Sequence, residues 1–214
     1  MKKETKAIDW FAYEKEARAQ GFTAICGVDE AGRGPLAGPV YAAAVILPEG
    51  CGIDGLNDSK KLSEKKREEL FDQIIERAVA YGIACAEVEE IEAINILNAT
   101  YLAMTRAVEQ LQVPADFAMI DGNRLPPMLK IPARTIVKGD ANSASIAAAS
   151  ILAKVSRDRY MLKMAELYPQ YEFAKHKGYG TELHTNLIRE YGPSPIHRRS
   201  FLKNILRDGE FPGK

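Results

Sequence analysis

The sequence predicts an α/β protein built on a mixed five-stranded sheet flanked by helices. Two observations carry this prediction: two short apolar segments bounded by glycine and proline follow each other, and later apolar segments alternate with helical patterns. The predicted strands are residues 23–28, 40–47, 83–88, 117–120 and 131–137. A chain of 214 residues, 46% hydrophobic and 27% charged, has ample material for one such domain.

Helical patterns fill the segments around these strands. A short helix is expected over residues 8–20, and Ser63 caps a helix whose apolar residues repeat with helical spacing until Gly82 ends it. Further helices are expected near residues 97–111, 142–154 and 181–191. The segment 142–154 contains almost only small or apolar residues, which predicts that this helix is buried against the sheet.

The composition argues against membrane and secretory classes. The longest apolar run is far too short to span a bilayer, and the N-terminus lacks the apolar stretch of a secretory signal. Three cysteines without a Cys-x-x-Cys pair are expected to be reduced thiols. We therefore expect a cytoplasmic protein without membrane association. No feature indicates obligate oligomerisation, so a monomer is expected.

The charge is unevenly distributed, although the formal net charge is zero. Residues 1–123 carry 13 Lys and Arg against 21 Asp and Glu, whereas residues 124–214 carry 16 against 8. Chance segregation on solvated faces would explain this pattern. The functional interpretation is an acidic half that holds metal and a basic half that binds a polyanion.

Four carboxylates lie where predicted strands end or a helix begins. Asp29 and Glu30 follow the first strand, Asp121 follows the fourth, and Asp140 precedes the helix at 142–154. Strand ends at one edge of an α/β sheet converge, so these acids could share a crevice, where their repulsion would require cations. Hard oxygen ligands without His or Cys favour Mg²⁺ or Mn²⁺. Taken singly, Asp121 is better explained as a turn residue and Asp140 as a helix cap, and only the four acids together favour the functional interpretation.

The residues after the first pair indicate phosphodiester chemistry. Gly32, Arg33 and Gly34 offer exposed backbone and a guanidinium group suited to phosphate. Two ions about 3.5–4 Å apart could activate a water and stabilise the leaving oxygen. In a regular strand Asp29 and Glu30 would point to opposite faces, so we expect the glycines to let the chain bend and bring Glu30 round.

Seven motifs in a fixed order give the chain a resemblance to a known family. They are Gly27-Val-Asp-Glu-Ala-Gly-Arg-Gly-Pro35, Asn57-Asp-Ser-Lys-Lys-Leu-Ser63, Ile120-Asp-Gly-Asn123, Lys138-Gly-Asp140, Ala147-Ala-Ala-Ser-Ile-Leu-Ala-Lys154, His176-Lys-Gly-Tyr-Gly-Thr181 and His197-Arg-Arg-Ser-Phe201. Together they cover roughly residues 22–203. On these motifs the chain resembles bacterial ribonuclease HII, a type 2 ribonuclease H.

The resemblance implies an RNase H-like fold and a metal-dependent endonuclease that cleaves the RNA strand of RNA–DNA hybrids. It also implies incision 5′ to single ribonucleotides in duplex DNA, leaving 3′-hydroxyl and 5′-phosphate ends. The expected division is an N-terminal extension (1–21), a catalytic domain (22–165) and a small helical, basic and aromatic C-terminal segment for substrate recognition (166–214). Because the resemblance begins near residue 22, we do not expect the extra N-terminal domain of type 3 enzymes.

The resemblance also assigns individual residues. The catalytic and metal-binding acids would be Asp29, Glu30, Asp121 and Asp140, with two Mn²⁺ or Mg²⁺ ions bound in the presence of substrate. The residues that sense the ribonucleotide would be Gly32, Arg33, Gly34 and Tyr179. Contacts with backbone phosphates would come from Ser59 and Lys60.

The residues themselves support part of this assignment. Telling RNA from DNA requires contact with a 2′-hydroxyl, and Tyr179 could offer its ring to the sugar and base and its phenol to that oxygen. The alternative for Tyr179 is a packed surface aromatic, and Lys60 could simply solvate the start of the Ser63 helix. Arg198 and Arg199 are expected to contact phosphates, and their loss should weaken binding and reduce its salt dependence.

Alternatives stay open on the sequence alone. General acid–base chemistry is open for His176, His184 and His197, although a surface or supporting role is favoured for each. Another two-metal nuclease of the same superfamily, such as a junction resolvase or exonuclease, would also cluster acids. A non-catalytic hybrid-binding module would be expected to lack them. A glycosidase is disfavoured by the basic half and the single tryptophan.

Overall fold

A computed structural model describes residues 9–206, in which five strands form one sheet. The strands are β1 (Ile25–Ala31), β2 (Val40–Ile46), β3 (Ala80–Ala86), β4 (Phe117–Asp121) and β5 (Ala133–Ile136). The helices are α1 (Ala12–Ala19), α2 (Glu64–Arg77), α3 (Val88–Glu109), α4 (Ala144–Leu167), α5 (Phe173–His176) and α6 (Glu182–Tyr191). The sheet order is β3-β2-β1-β4-β5, which confirms the predicted mixed α/β architecture.

The strand directions decide which side chains meet at the sheet edge. β1, β2 and β3 form an antiparallel meander, whereas β4 runs parallel to β1 and β5 runs parallel to β4. The strand β4 is parallel to the meander's first strand, so it needs a crossover connection, which α3 supplies between β3 and β4. Because β1 and β4 are parallel neighbours, they end at the same edge of the sheet. Their register pairs Val28 with Ile120, so the next residues, Asp29 and Asp121, lie side by side.

Helices cover both faces of the sheet. On one face Ala103 of α3 packs with Val28, and on the other face α2 and α4 pack with Val45. Every residue of α4 from Ala144 to Ala153 is buried, as predicted for a helix of small and apolar residues. Within residues 9–206, no helix is both long and apolar enough to cross a membrane.

The predicted helix end at Gly82 is wrong. The helix α2 ends at Arg77, and Gly82 lies inside β3, where it pairs with Ala44. A Cβ atom at Gly82 would lie 2.1 Å from the carbonyl oxygen of Ala107, so the glycine lets α3 cross the strand at close range. The third strand consequently begins at Ala80, earlier than expected.

A second glycine brings α4 close to β1. A Cβ atom at Gly27 would lie 2.3 Å from both the Ile146 nitrogen and the Ser145 carbonyl carbon. These are backbone atoms, so neither can move aside by a rotamer change. The first turn of α4 therefore lies directly over β1, two residues before Asp29.

We expect Gly27→Ala to lower the free energy of unfolding by at least about 1–3 kcal/mol, because the added methyl group overlaps the backbone of α4. Urea denaturation measures the change. Gly52→Ala is a matched control, because nothing lies within 4 Å of a Cβ atom there. An unfolding free energy for Gly27→Ala equal to that of the control would contradict the close contact.

Candidate active site

Two of the predicted acids lie beside each other at the ends of β1 and β4. Alternation along the strands puts Asp29 and Asp121 on the face covered by α4, together with Ile25 and Met119. Adjacent strands are about 4.8 Å apart, so the two carboxylates are close neighbours. Asp29 is only 7% exposed, and its Oδ1 accepts a hydrogen bond from the Glu30 N–H at 2.7 Å.

Asp140 is brought to this pair by the 3₁₀ turn Gly139–Ala141. The Gly139 N–H donates to Asp121 Oδ1 at 2.7 Å, which ties the turn to the end of β4. A Cβ atom at Gly139 would lie 2.5 Å from the Cδ1 atom of Ile146, so the glycine lets the turn lie close against α4. The turn therefore delivers Asp140 next to Asp121.

Glu30 opens on the opposite face of the sheet, into a pocket of about 390 Å³ against α3. The expected bend that would bring Glu30 round is wrong, because the ladder with β2 continues to Ala31 and keeps the strand alternation. Asp121 also lines this pocket, so the acids of the two faces meet at the sheet edge. Arg33 lies beside them, with its Nη1 atom 3.3 Å from Glu30 Oε1.

Burial and mutual repulsion disfavour the charged forms of these acids. Burial, followed by the charges of Glu30 and Asp121, raises the pKa of Asp29 well above its usual value. Burial also raises the pKa of Glu30, although the nearby Arg33 opposes this. The pKa of Asp140 is raised by burial and then by Asp121. A bound cation would relieve all three effects.

The chemistry of the four carboxylates fits a divalent metal ion. They are hard oxygen donors, and a cation would relieve their mutual repulsion at the sheet edge. Within residues 9–206, no three Asp, Glu, His or Cys side chains already form a ready-made coordination group. Binding an ion therefore has to draw the carboxylates together, and the charge of the ion supplies the attraction.

The predicted phosphate-binding pair lies on the 3₁₀ turn Ser59–Lys61 near the acids. Burial opposes the charged form of Lys60, but the carboxylates, led by Asp29, outweigh it and raise the pKa of the ammonium group. Lys60 is exposed and stays charged beside the site. Ser59 is only 6% exposed, and its contact with a backbone phosphate stays a prediction.

Two buried arginines hold the loop of residues 32–39 from the inside. Arg198 donates hydrogen bonds to the carbonyl oxygens of Gly32, Arg33, Pro35 and Gly38, at 2.6 to 3.0 Å. Arg157, from α4, donates to the carbonyl oxygens of Ala37, Pro39 and Lys177, at 3.0 to 3.2 Å. Both side chains are 0% exposed. The loop is thus shaped around two guanidinium groups.

The predicted phosphate contact of Arg198 is wrong. Its guanidinium is buried and committed to backbone carbonyls, and burial, followed by the charge of Arg157, lowers its pKa to about 9. Arg199 is exposed on the turn Arg199–Phe201 and stays a predicted phosphate contact. Sequence reasoning missed Arg157. Arg157 follows the small, apolar half of α4 together with Arg159, and nothing in the local sequence separates the buried arginine from the exposed one.

Tyr179 lies next to the loop of residues 32–39. Its ring is 41% exposed, and the Arg157 guanidinium lies 5.6 Å from the ring centroid. The neighbouring Gly178 carbonyl accepts a hydrogen bond from the Leu36 N–H at 2.8 Å, which joins the two segments. The structure therefore brings together Tyr179 and the Gly-Arg-Gly turn, which are far apart in the sequence, and leaves the ring open to solvent.

Three histidines form a buried cluster beneath Tyr179. The Nε2 atoms of His184 and His197 are 3.0 Å apart, and His184 Nδ1 is 2.9 Å from the Tyr179 carbonyl oxygen. The Gly178 N–H donates to His176 Nδ1 at 3.2 Å. These contacts hold the backbone on which the tyrosine stands, which fits the supporting role favoured from the sequence.

Comparison with solved structures gives the class of protein. The ribonuclease H2 of Pyrococcus horikoshii OT3 matches with a TM-score of 0.70 and 27% identity, covering 86% of this chain and 97% of that chain. Bst-RNase HIII, solved in complex with Mn²⁺, matches with a TM-score of 0.62 and 18% identity, covering 79% and 63%. The RNase H-like fold is confirmed, and the proteins that share it here are ribonucleases H.

Sequence comparison gives the family. The family model for Ribonuclease HII matches residues 26–204. The Ribonuclease HII of Caldicellulosiruptor saccharolyticus is 54% identical over 199 residues, which cover 93% of this chain and 97% of that protein. The chain belongs to the ribonuclease HII family, metal-dependent endoribonucleases that act on RNA–DNA hybrids.

We expect acid to destabilise the protein through its buried histidines. Burial lowers the pKa of His184 to about 4 and that of His197 to about 3, from an ordinary value of 6.5. Below pH 6.5 the unfolded chain therefore binds more protons than the folded one. The stabilisation is complete above that pH and is lost as the pH falls toward about 4, by about 1.4 kcal/mol per pH unit for each histidine.

Chemical denaturation at a series of pH values below 6.5 measures this loss. The matched variant is His197→Asn, whose side-chain oxygen can still accept the hydrogen bond from the Ser194 N–H. Its unfolding free energy should depend less steeply on pH than that of the native protein, because one titrating histidine is missing while the carboxylates are the same in both. Identical slopes would contradict a neutral, buried His197.

Proposed function

We propose that this protein incises duplex DNA on the 5′ side of single ribonucleotides, in addition to cleaving the RNA strand of hybrids. The products carry 3′-hydroxyl and 5′-phosphate ends. The observation that carries this proposal is the order of groups along residues 29–34. Two carboxylates end β1, and the Gly-Arg-Gly turn follows at once, so a sugar read by the turn lies next to a phosphodiester held at the acids.

The four acids would hold two Mn²⁺ or Mg²⁺ ions when substrate is bound. Such ions supply an activated water and stabilise the leaving oxygen. The chain contributes oriented oxygens: Asp29 Oδ1 and Asp121 Oδ1 are fixed by backbone N–H groups, which leaves the Oδ2 atom of each for a cation. Glu30 would complete the set from the α3 face and Asp140 from its turn.

The Gly-Arg-Gly turn would read the 2′-hydroxyl through its backbone N–H groups. The carbonyls of Gly32 and Arg33 already accept hydrogen bonds from Arg198, so the turn offers donors to a ligand. Nothing lies within 4 Å of a Cβ position at Gly34, so a sugar can approach this backbone closely. Tyr179, with its exposed ring, would stack on the sugar or base of the neighbouring nucleotide.

Exposed cations around the site would hold the nucleic-acid backbone. Lys60 lies beside the acids, Arg33 lines the pocket that Glu30 opens on, and Arg199 is exposed on the C-terminal segment. Loss of such side chains weakens binding of every sequence and reduces its salt dependence. A cytoplasmic monomer and the division into 1–21, 22–165 and 166–214 stay predictions.

The test is a duplex DNA with one ribonucleotide, incubated with Mn²⁺ or Mg²⁺, whose cleavage ends are mapped. We expect a single cut 5′ to the ribonucleotide by the native protein. Asp29→Asn should lose at least about 10²–10³-fold in rate but still bind a hybrid, because the fold and the phosphate contacts remain. Cutting of an all-DNA duplex at an equal rate, or native activity of Asp29→Asn, would refute the assignment.

Tyr179→Ala should reduce the rate at a single ribonucleotide by about 5- to 150-fold, the equivalent of one base stacked on an aromatic ring. Its melting temperature should change little, because the ring is 41% exposed. Tyr191→Ala is the matched control, since Tyr191 is 50% exposed and lies at the end of α6. A native rate for Tyr179→Ala would show that the tyrosine only packs against its neighbours.

A further inference from the structure

The helix α1 carries a buried carboxylate, Glu14, which is neither an apolar core residue nor one of the four acids at the sheet edge. Glu14 is only 5% exposed, whereas Glu16 on the same helix is exposed and pairs with Arg134 at 2.9 Å. Burying a carboxylate is costly unless hydrogen bonds compensate it. The partners of Glu14 therefore indicate its role.

Those partners lie at the N-terminus of α4. Glu14 Oε1 accepts hydrogen bonds from Ser143 Oγ at 2.9 Å and from the Ser145 N–H at 3.1 Å. The Ala144 N–H donates to the Trp10 carbonyl oxygen at 2.8 Å. The N-terminal segment thus satisfies N–H groups that the start of a helix leaves without partners. In return, the positive end of the helix dipole stabilises the carboxylate.

This cap is continuous with the turn that carries Asp140. The Ser143 N–H donates to the Gly139 carbonyl oxygen at 2.8 Å, and the Gly139 N–H donates to Asp121 Oδ1 at 2.7 Å. Asp140 therefore lies between two anchors. One is Asp121 at the end of β4, and the other is Glu14, which acts through Ser143.

We propose that Glu14 is a positioning residue for the metal site, because its hydrogen bonds to α4 hold Asp140 where a divalent cation requires it. This inference rests on the proposed function, since it takes the four acids as cation ligands. A purely structural cap would contribute to stability alone. A positioning residue also determines how tightly the folded protein binds the ion.

The experiment is calorimetric titration of the full-length protein with Mn²⁺ alone, without nucleic acid. Glu14→Ala should bind Mn²⁺ about tenfold more weakly, in the range for residues that orient metal ligands. Glu14→Gln keeps an oxygen acceptor at the same reach and should bind Mn²⁺ more tightly than Glu14→Ala. Glu16→Ala, on the same helix but exposed, is the matched control and should bind like the native protein.

Circular dichroism establishes that each variant is folded. Should Glu14→Ala fail to fold, Glu14→Asp replaces it, because this variant keeps the charge but falls one methylene short of Ser143. A folded Glu14 variant with a lower melting temperature and native Mn²⁺ affinity would overturn the inference. Asp29→Asn separates the two levels: native Mn²⁺ binding by this variant would refute the metal site itself, and the role of Glu14 with it.

Discussion

The parts of this protein that would read a ribonucleotide depend on two buried guanidinium groups. Arg157 and Arg198 donate seven hydrogen bonds to backbone carbonyls, six of them in the loop of residues 32–39. Hydrogen bonds to charged groups contribute about 1.5–3 kcal/mol each, and together they offset the cost of burying two like charges. Because the carbonyls must point inward, the loop has one arrangement. The hydrogen bond from the Leu36 N–H to the Gly178 carbonyl oxygen joins this loop to the segment that carries Tyr179.

In contrast to the two arginines, the acids at the sheet edge lack partners that fully compensate their charge. Burial raises the pKa of Asp29, Glu30 and Asp140, so at neutral pH their charges weaken the folded state. A cation that binds only the folded protein offsets this by mass action. The carbonyl groups of the loop 32–39 that the two arginines bind are satisfied by hydrogen bonds within the protein. The carboxylates at the neighbouring ends of β1 and β4 are not fully satisfied, so they can interact with a ligand.

Local patterns in the sequence predicted the sheet and the position of the acids, because strand ends and glycine turns depend on neighbouring residues. Features that depend on distant residues were not predictable in this way. The local pattern predicts a helix end at Gly82, whereas the glycine in fact makes room for the Ala107 carbonyl oxygen. The sequence predicts a phosphate contact for Arg198, and no local pattern reveals its four carbonyl partners, which lie more than 150 residues earlier. Nothing in the local sequence distinguishes Glu14 from an exposed charge on a short helix, because its partner Ser143 is distant in the chain.

The hydrogen bonds of the histidine cluster all run in one direction, from Ser194 through the rings of His197 and His184 to Tyr179. The Ser194 N–H donates to His197 Nδ1, so in a neutral ring the proton must be on Nε2, from where it is donated to His184 Nε2. His184 must then carry its own proton on Nδ1, which it donates to the Tyr179 carbonyl. One backbone N–H thus selects the tautomer of two rings in sequence. A proton added to His184 would set two N–H groups head to head between the rings, and one added to His197 would face the Ser194 N–H, so charging either ring breaks a hydrogen bond of this chain.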